Sequence, residues 1–252
     1  MSENTVSILD GSTFLVSNLN GDFEAAPDRA EGLFYKDMRH LSKWKLTLNG
    51  KPLDVLSTDA LEYYFVQHFC APPPGGPFMD GELSVIRRRY IGDGLVEDLT
   101  VLNHGQRTLE LELRVEMDAD FADLFEVKDA LKKKGHLSRE AKDRQLVLRY
   151  KRDSFERATL IASTVPVSYL DSAGATFQIT LPPKWRWNTK VNVNTVVGDE
   201  VHPPKFSTEA GLEMRHGLQQ WLEEAPAVDS HIEAVRLYMR SLVDIAALRF
   251  RP

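Results

Sequence analysis

Residues Leu83–Glu126 read LSVIRRRYIGDGLVEDLTVLNHGQRTLELELRVEMDADFADLFE, and the fold is decided there. In Thr108–Met117, Leu109, Leu111, Leu113, Val115 and Met117 alternate with Glu110, Glu112, Arg114 and Glu116. A period of two sends every apolar side chain to one face and every charge to the other, so the stretch predicts a strand with one buried face. Leu83–Ile91 and Leu95–Leu102 precede it as two further strands, joined by Gly92-Asp93-Gly94, where Asp-Gly supplies the positive φ of a tight hairpin. Asn103-His104-Gly105-Gln106 makes the next reversal, and three antiparallel strands in succession are expected to form a meander.

The pattern spreads in both directions. Ser12–Asn18, Gly32–Tyr35, Leu41–Leu48 and Leu61–Phe69 are strand candidates upstream, with Asn49-Gly50 as a second hairpin signal. Cys70–Gly81, CAPPPGGPFMDG, excludes a regular element. Downstream, Asp129–Arg144 reads as a polar connection. Alternation resumes at Leu146–Tyr150, Phe177–Leu181 and Val191–Val197, and Arg157–Ser163 adds a short run. About ten to twelve strands without βαβ alternation predict a mainly β fold, a large antiparallel sandwich. The character changes after Pro203-Pro204: Ala210–Glu224 and Ser230–Leu248 carry helical periodicity. In the second, Ile232, Val235, Met239, Leu242 and Ala246 form a stripe that Tyr238, Val243 and Ile245 widen, and Ser230 with Glu233 has capping-box spacing. The expected division is a β-sandwich over 1–206 and a helical segment over 207–252.

Composition excludes several functions. The 252 residues are 42% hydrophobic with a net charge of −6, which offers no general attraction to nucleic acid or acidic lipid. Mean hydropathy is −0.31, and no apolar run approaches the ~18 residues of a membrane helix. The N-terminus lacks a secretory signal, and Cys70 is alone, so the expectation is a cytoplasmic protein without disulfide or cysteine-bound zinc. Lys132-Lys133-Lys134 reads as a solvated loop.

Candidate chemistry is sparse. Asp118, Asp120, Asp123 and Glu126 are the densest acidic cluster, but no calcium-loop pattern fits, and a strand end capped by acids is the simpler reading. Phe121, Leu124 and Phe125 suit anchoring that loop on the core. Arg87, Arg88 and Arg89 face Glu97 and Asp98; a two-residue turn would set Arg89 opposite Asp98 in cross-strand ion pairs worth about a few tenths of a kcal/mol each, and a carboxylate- or phosphate-binding arginine patch is the other reading. Trp185 and Trp187, two apart in KWRW, share one face of a strand and are the candidate sugar-stacking residues, though core packing is the commoner use of such a pair. The seven histidines show no metal spacing, and no phosphate loop, dinucleotide fingerprint or nucleophile elbow occurs. No catalytic, cofactor or metal residue is nominated.

Three ordered motifs carry a resemblance: GLFYKDMRHLSKWKLTLNGKPL (Gly32–Leu53), RRRYIGDGLVEDLTVLNHG (Arg87–Gly105) and ELRVEMDADFADLFEVK (Glu112–Lys128). Together they resemble the N-terminal domain of bacterial glycogen-debranching-type enzymes, the amylo-α-1,6-glucosidases. SLVDIAALRF (Ser241–Phe250) is similar to the segment leading into their catalytic domain. The resemblance implies a supersandwich-like domain followed by linker helices. It also implies a catalytic (α/α) toroid, absent from this sequence, as the partner and as the holder of the catalytic carboxylates. A non-catalytic domain that supports this toroid and borders its α-glucan site is the leading expectation, with weak self-association through the helical stripe. A freestanding carbohydrate-binding module is the alternative.

Overall fold

The computed structural model describes residues 4–26, 29–79, 81–131, 133–205 and 210–248. Strands come first: β1 (Thr5–Asp10), β2 (Thr13–Asn18), β3 (Phe23–Glu24), β4 (Gly32–Tyr35) and β5 (Met38–Leu41). Then follow β6 (Lys43–Leu48), β7 (Lys51–Pro52), β8 (Asp54–Glu62) and β9 (Phe65–Ala71). The stretch quoted above forms β10 (Leu83–Ile91), β11 (Gly94–Asn103), β12 (Leu109–Asp118) and the short helix α1 (Leu124–Lys128). Next come β13 (His136–Lys142), β14 (Gln145–Arg152), β15 (Phe155–Ser163) and β16 (Tyr169–Asp171). β17 (Gly174–Leu181), β18 (Arg186–Val197) and β19 (Glu200–His202) complete the strands, and helices α2 (Ala210–Glu224) and α3 (Ile232–Ala247) follow.

All strand pairs are antiparallel, in three sheets. The largest runs β13-β14-β15-β18-β11-β10-β9-β8, with β19 beside β18; the second runs β16-β17-β12-β6-β3, with β7 beside β6; the third is β1-β2-β4-β5. The two larger sheets stack. Val115, Met117 and Phe177 of one meet Leu146, Ile161 and Val191 of the other around a void of only about 10 Å³, and Phe177 packs on Trp187 at 5.3 Å. This is the expected sandwich. Leu111 and Leu113 are buried while Glu110 and Glu112 are exposed, as the alternation requires.

Three expectations are corrected. The meander is not one sheet: β10 and β11 pair, but β12 hydrogen-bonds β17 and β6 in the opposite layer. Alternation shows that a strand buries one face, not which neighbour completes its ladder. Asn103 directs its amide nitrogen to the carbonyls of Arg107, Leu181 and Pro182 (2.8–3.0 Å), fixing the arch between layers. The polar connection 129–144 contains β13, an exposed edge strand joined to β14 through Asp143 and Arg144, both at positive φ. With neither face buried it leaves no period in the sequence. The third correction is the β10–β11 register. Ile91 pairs with Leu95 across a three-residue turn, so Arg89 lies opposite Glu97 and Arg88 opposite Asp98. Gly94 is required there because a Cβ would sit 2.3 Å from the Val193 carbonyl oxygen.

The helices pack on the sandwich. Met214, Leu218, Val243, Ala246 and Ala247 join its core, Trp221 donates to the Leu242 carbonyl (3.2 Å), and Arg240 donates to the Ala60 carbonyl (2.8 Å). The expected boundary at 206/207 lies outside the described residues. The α3 cap and stripe also differ from expectation. His231, not Ser230, is the N-cap, and it makes no side-chain cap bond. Ala246 of the expected stripe and Val243 of its widened edge are buried together with Ala247, whereas Ile232 and Met239 are exposed. Which sector of an amphipathic helix turns inward is set by its neighbours. A second stripe, Leu237, Ile245 and Leu248, is left facing solvent at 69%, 53% and 74% exposure. No helix among the described residues is long and apolar enough to cross a membrane.

Candidate functional site

Along β10, Leu83, Val85, Arg87, Arg89 and Ile91 share the inward face and Arg88 stays outside, and the register sets Glu97 opposite the inward Arg89. Arg87, Arg89 and Glu97 are almost wholly excluded from solvent. The expected cross-strand ion pairs form on Glu97, as a buried network. Glu97 Oε1 accepts from Arg87 Nε (2.7 Å) and Arg89 Nε (3.0 Å), and its Oε2 accepts from the Trp44 indole N–H (2.5 Å) across the sandwich. Arg87 Nη1 reaches Asp22 Oδ1 (2.5 Å) and the Asn20 carbonyl (2.8 Å), stitching the Asn18–Asp22 loop to the sheets. Asp22 also accepts the Leu46 N–H (3.1 Å). Two cations and two anions balance. The Arg89 guanidinium lies 5.7 Å from the Phe23 ring centroid and 5.9 Å from that of Trp44.

Burial drives Glu97 up, but the two guanidiniums outweigh it and hold the carboxyl at about 2. Burial pulls Arg89 down to about 10. It also disfavours the cation of Arg87, which Glu97 and Asp22 nevertheless keep above its ordinary range. His68, next in the interior, is pulled to about 3 by burial and then by Arg89 and Arg87; its Nδ1–H donates to the Leu19 carbonyl (2.8 Å). Burial pushes the Cys70 thiol up to about 11. These groups are enclosed, and they lock together the strands that carry the opposite, exposed face.

On that outer face, register aligns side chains in rows across β10, β11 and β18: Arg88–Asp98–Lys190, Ile86–Thr100–Asn188 and Ser84–Leu102–Arg186. The middle of this surface is a groove of about 270 Å³, lined by Arg88, Asp98, Thr100, Arg186 and Asn188. It shares Leu102 and Arg186 with a second groove of about 520 Å³ that ends on His104, Lys184 and Trp185. Trp185 is 66% exposed at this mouth. Its backbone is held on both sides: its N–H donates to the Pro182 carbonyl (3.2 Å), and its carbonyl accepts from Asn103 N–H (3.0 Å). Pro182-Pro183 and Lys184 at φ +62° stiffen the turn before it. Arg88 Nε is held by Gln67 Oε1 (2.6 Å), and His104 Nε2 by Ser84 Oγ (2.8 Å). The two tryptophans part company: Trp187 points inward onto Phe177, and Trp185 alone lines the groove. Arg186, Asn188, Asp98 and His104 escaped the sequence reading, because only the β10–β11–β18 register brings them to one face.

The acidic cluster is built into the fold. Asp118 takes a bidentate pair from Arg139 (2.7 Å twice), and Asp120 one from Arg39 (3.0 and 2.5 Å). Asp123 caps α1, accepting from Phe125 and Glu126 N–H, while Glu126 returns to Asp123 N–H (2.9 Å) and pairs with Lys133 (2.5 Å). The D-x-x-E spacing of that capping box is a signal present in the sequence. Of the expected anchors only Phe121 is buried; Leu124 is 40% and Phe125 75% exposed. A five-residue helix has too little surface to bury both sides. Among the described residues no cluster of three or more histidine, cysteine or acidic side chains is arranged to hold a metal ion.

No protein of curated function matches the chain in sequence. Among solved structures, a protein assigned as a kojibiose phosphorylase, from the human microbiome, superposes with a TM-score of 0.55 at 6% identity, over 94% of this chain. The chain spans 35% of the length of that protein. A protein assigned as an aldose 1-epimerase, from Escherichia coli K12, aligns at 8% identity over 77% of this chain and 99% of its own, with a TM-score of 0.48. The first likeness shows a shared fold. The sequence pattern of one family, the N-terminal domain of some glycogen debranching enzymes, matches residues 8–192, and the chain belongs to that family.

Proposed function

We propose that this domain is a non-catalytic part of a cytoplasmic, debranching-type amylo-α-1,6-glucosidase, where it supports a helical catalytic domain and borders its glucan site. The observation that carries the reading is the solvent-facing stripe of Leu237 and Ile245 on α3 with its C-cap Leu248. Positions i, i+8 and i+11 fall on one helical face, so the stripe is a ready seam for another helix. The inner face of α3 is already occupied by the sandwich core, which fixes how the outer one is presented. The engaged state of Asp118, Asp120, Asp123 and Glu126 argues against this cluster as a hydrolytic pair. The buried lone thiol of Cys70 suits a reducing compartment.

Two measurements test this. The parent enzyme's catalytic portion, expressed as a separate chain, should co-purify with this one, and Leu237→Glu with Ile245→Glu should abolish the association while leaving this chain folded. Co-purification unaffected by both changes would remove the seam. On panose or limit dextrin the chain alone should release no glucose; release that disappears in Asp120→Asn protein would establish a hydrolytic centre instead. The second reading, a freestanding carbohydrate-binding module, draws on exposed Trp185. It predicts a chain that binds glucan and has no helical partner; weak self-association through α3, seen by sedimentation, favours the seam.

A further inference from the structure

We infer that the outer face of the nine-stranded sheet, from Arg88 and Asp98 to Trp185, is an α-glucan-binding groove. The inference rests on the debranching-enzyme reading for the kind of sugar chain alone; the geometry stands without it. Three observations converge. An exposed indole with a fixed backbone ends the groove, and an aromatic face is the surface onto which the C–H side of a pyranose stacks. Behind it, Arg186, Asn188, Thr100, Asp98 and Arg88 alternate donors and acceptors at strand spacing, which suits hydroxyls that both give and accept hydrogen bonds. The two grooves are joined through Leu102 and Arg186 and lie along the surface, a shape that accepts a chain whose ends run on beyond the protein.

The position of the groove adds a reason for its use. Tyr90, the next outward residue of β10 beyond Arg88, interacts with Arg215 of α2, so α2 lies beside the end of the face where the groove stops. A glucan lying on the uncovered rows therefore points along the sheet toward the helices through which the domain meets its catalytic partner. The buried Arg87–Glu97–Arg89 network stiffens β10 and β11 beneath it, so little ordering accompanies binding. A polyanion is the competing ligand for Arg88, Arg186 and Lys190. The single acid Asp98 inside the groove and the overall charge of −6 argue against it.

Affinity electrophoresis through glycogen-containing gels and titration with maltoheptaose test the groove on the chain itself. Wild type should be retarded by glycogen, and Trp185→Ala and Asp98→Ala should each raise the maltoheptaose Kd by about tenfold or more with unchanged far-UV circular dichroism. Heparin should neither retard the protein nor displace maltoheptaose. Passage of wild type without retardation, binding equal in Trp185→Ala, or Trp185-dependent retention on heparin would each overturn the assignment. The outcome is separable from the docking reading. A chain that co-purifies with the catalytic portion but ignores glucan loses only the groove; one that binds glucan without co-purifying loses only the seam.

Discussion

Glu97 is the residue at the centre of the buried charge network. One carboxylate receives two guanidiniums and an indole, so removing it strands Arg89, whose two terminal nitrogens have no hydrogen-bond partner. Breaking a buried pair from one side costs about 3–5 kcal/mol, and Glu97→Ala should lose that much stability in denaturant titration. Leu113→Ala, in the opposing layer, should lose about 2–5 kcal/mol from transfer and cavity terms. Its neighbour Glu112→Ala, which is exposed, should stay within about 0.5 kcal/mol of wild type. Equal losses for the last two would contradict the observed faces of β12. Cys70 offers a chemical counterpart. Burial raises its thiol to about 11, so native protein should resist a thiol reagent at neutral pH and react only on unfolding.

Helix α1 shows how an element too short to stand alone is kept. Five residues are far below the length at which a helix persists in water. Its order comes from outside: the Asp123–Glu126 capping box, the Arg39–Asp120 and Arg139–Asp118 clamps, and Phe121 set into the core at φ +51°. Asp123→Ala should cost about 0.5–2 kcal/mol and speed amide exchange in Leu124–Lys128 more than in β12. Unchanged exchange there would mean that the clamps alone suffice. Helix α3 is the opposite case: the core fixes its inner side and leaves the outer one available.

The whole molecule should respond to acid through its interior histidines. Burial pulls both His40 and His68 to about 3, from an ordinary value near 6.5. Both are therefore neutral when folded, His40 with Nδ1 on Thr159 Oγ1 (3.2 Å) and His68 with Nδ1 on the Leu19 carbonyl. Between those two pH limits the unfolded chain binds more protons than the folded one, so stability rises with pH. Their contribution is complete above pH ~6.5 and is lost as pH falls toward 3, at about 1.4 kcal/mol per pH unit for each histidine. Glu97, held at about 2, adds its own loss only below its ordinary carboxylate value. Urea titrations at pH 7, 6 and 5 should show this slope, and His40→Gln with His68→Gln should flatten it; an identical slope in the double variant would show that other groups govern acid unfolding.

What was legible in the chain was what depends on neighbours close in sequence. The alternation of Leu109–Met117, the Asn49-Gly50 and Asp93-Gly94 turns, and the helical period after 210 report side-chain direction within a few residues, and these gave the β-sandwich and its two appended helices. What stayed hidden depends on pairing at a distance. Loop length sets register, and the three-residue Gly92–Gly94 turn places Glu97 rather than Asp98 opposite Arg89, which closes the buried charge network. Alternation could not say that β12 belongs to the other layer, since either sheet would bury the same face. Trp185 and Trp187 share a parity in sequence, yet the Pro182–Lys184 turn leaves one in the groove and the other in the core. The groove itself assembles from β10, β11 and β18, nearly a hundred residues apart, and only their hydrogen-bonded register brings Asp98 into line with Lys190 and Trp185 to the end of the same face.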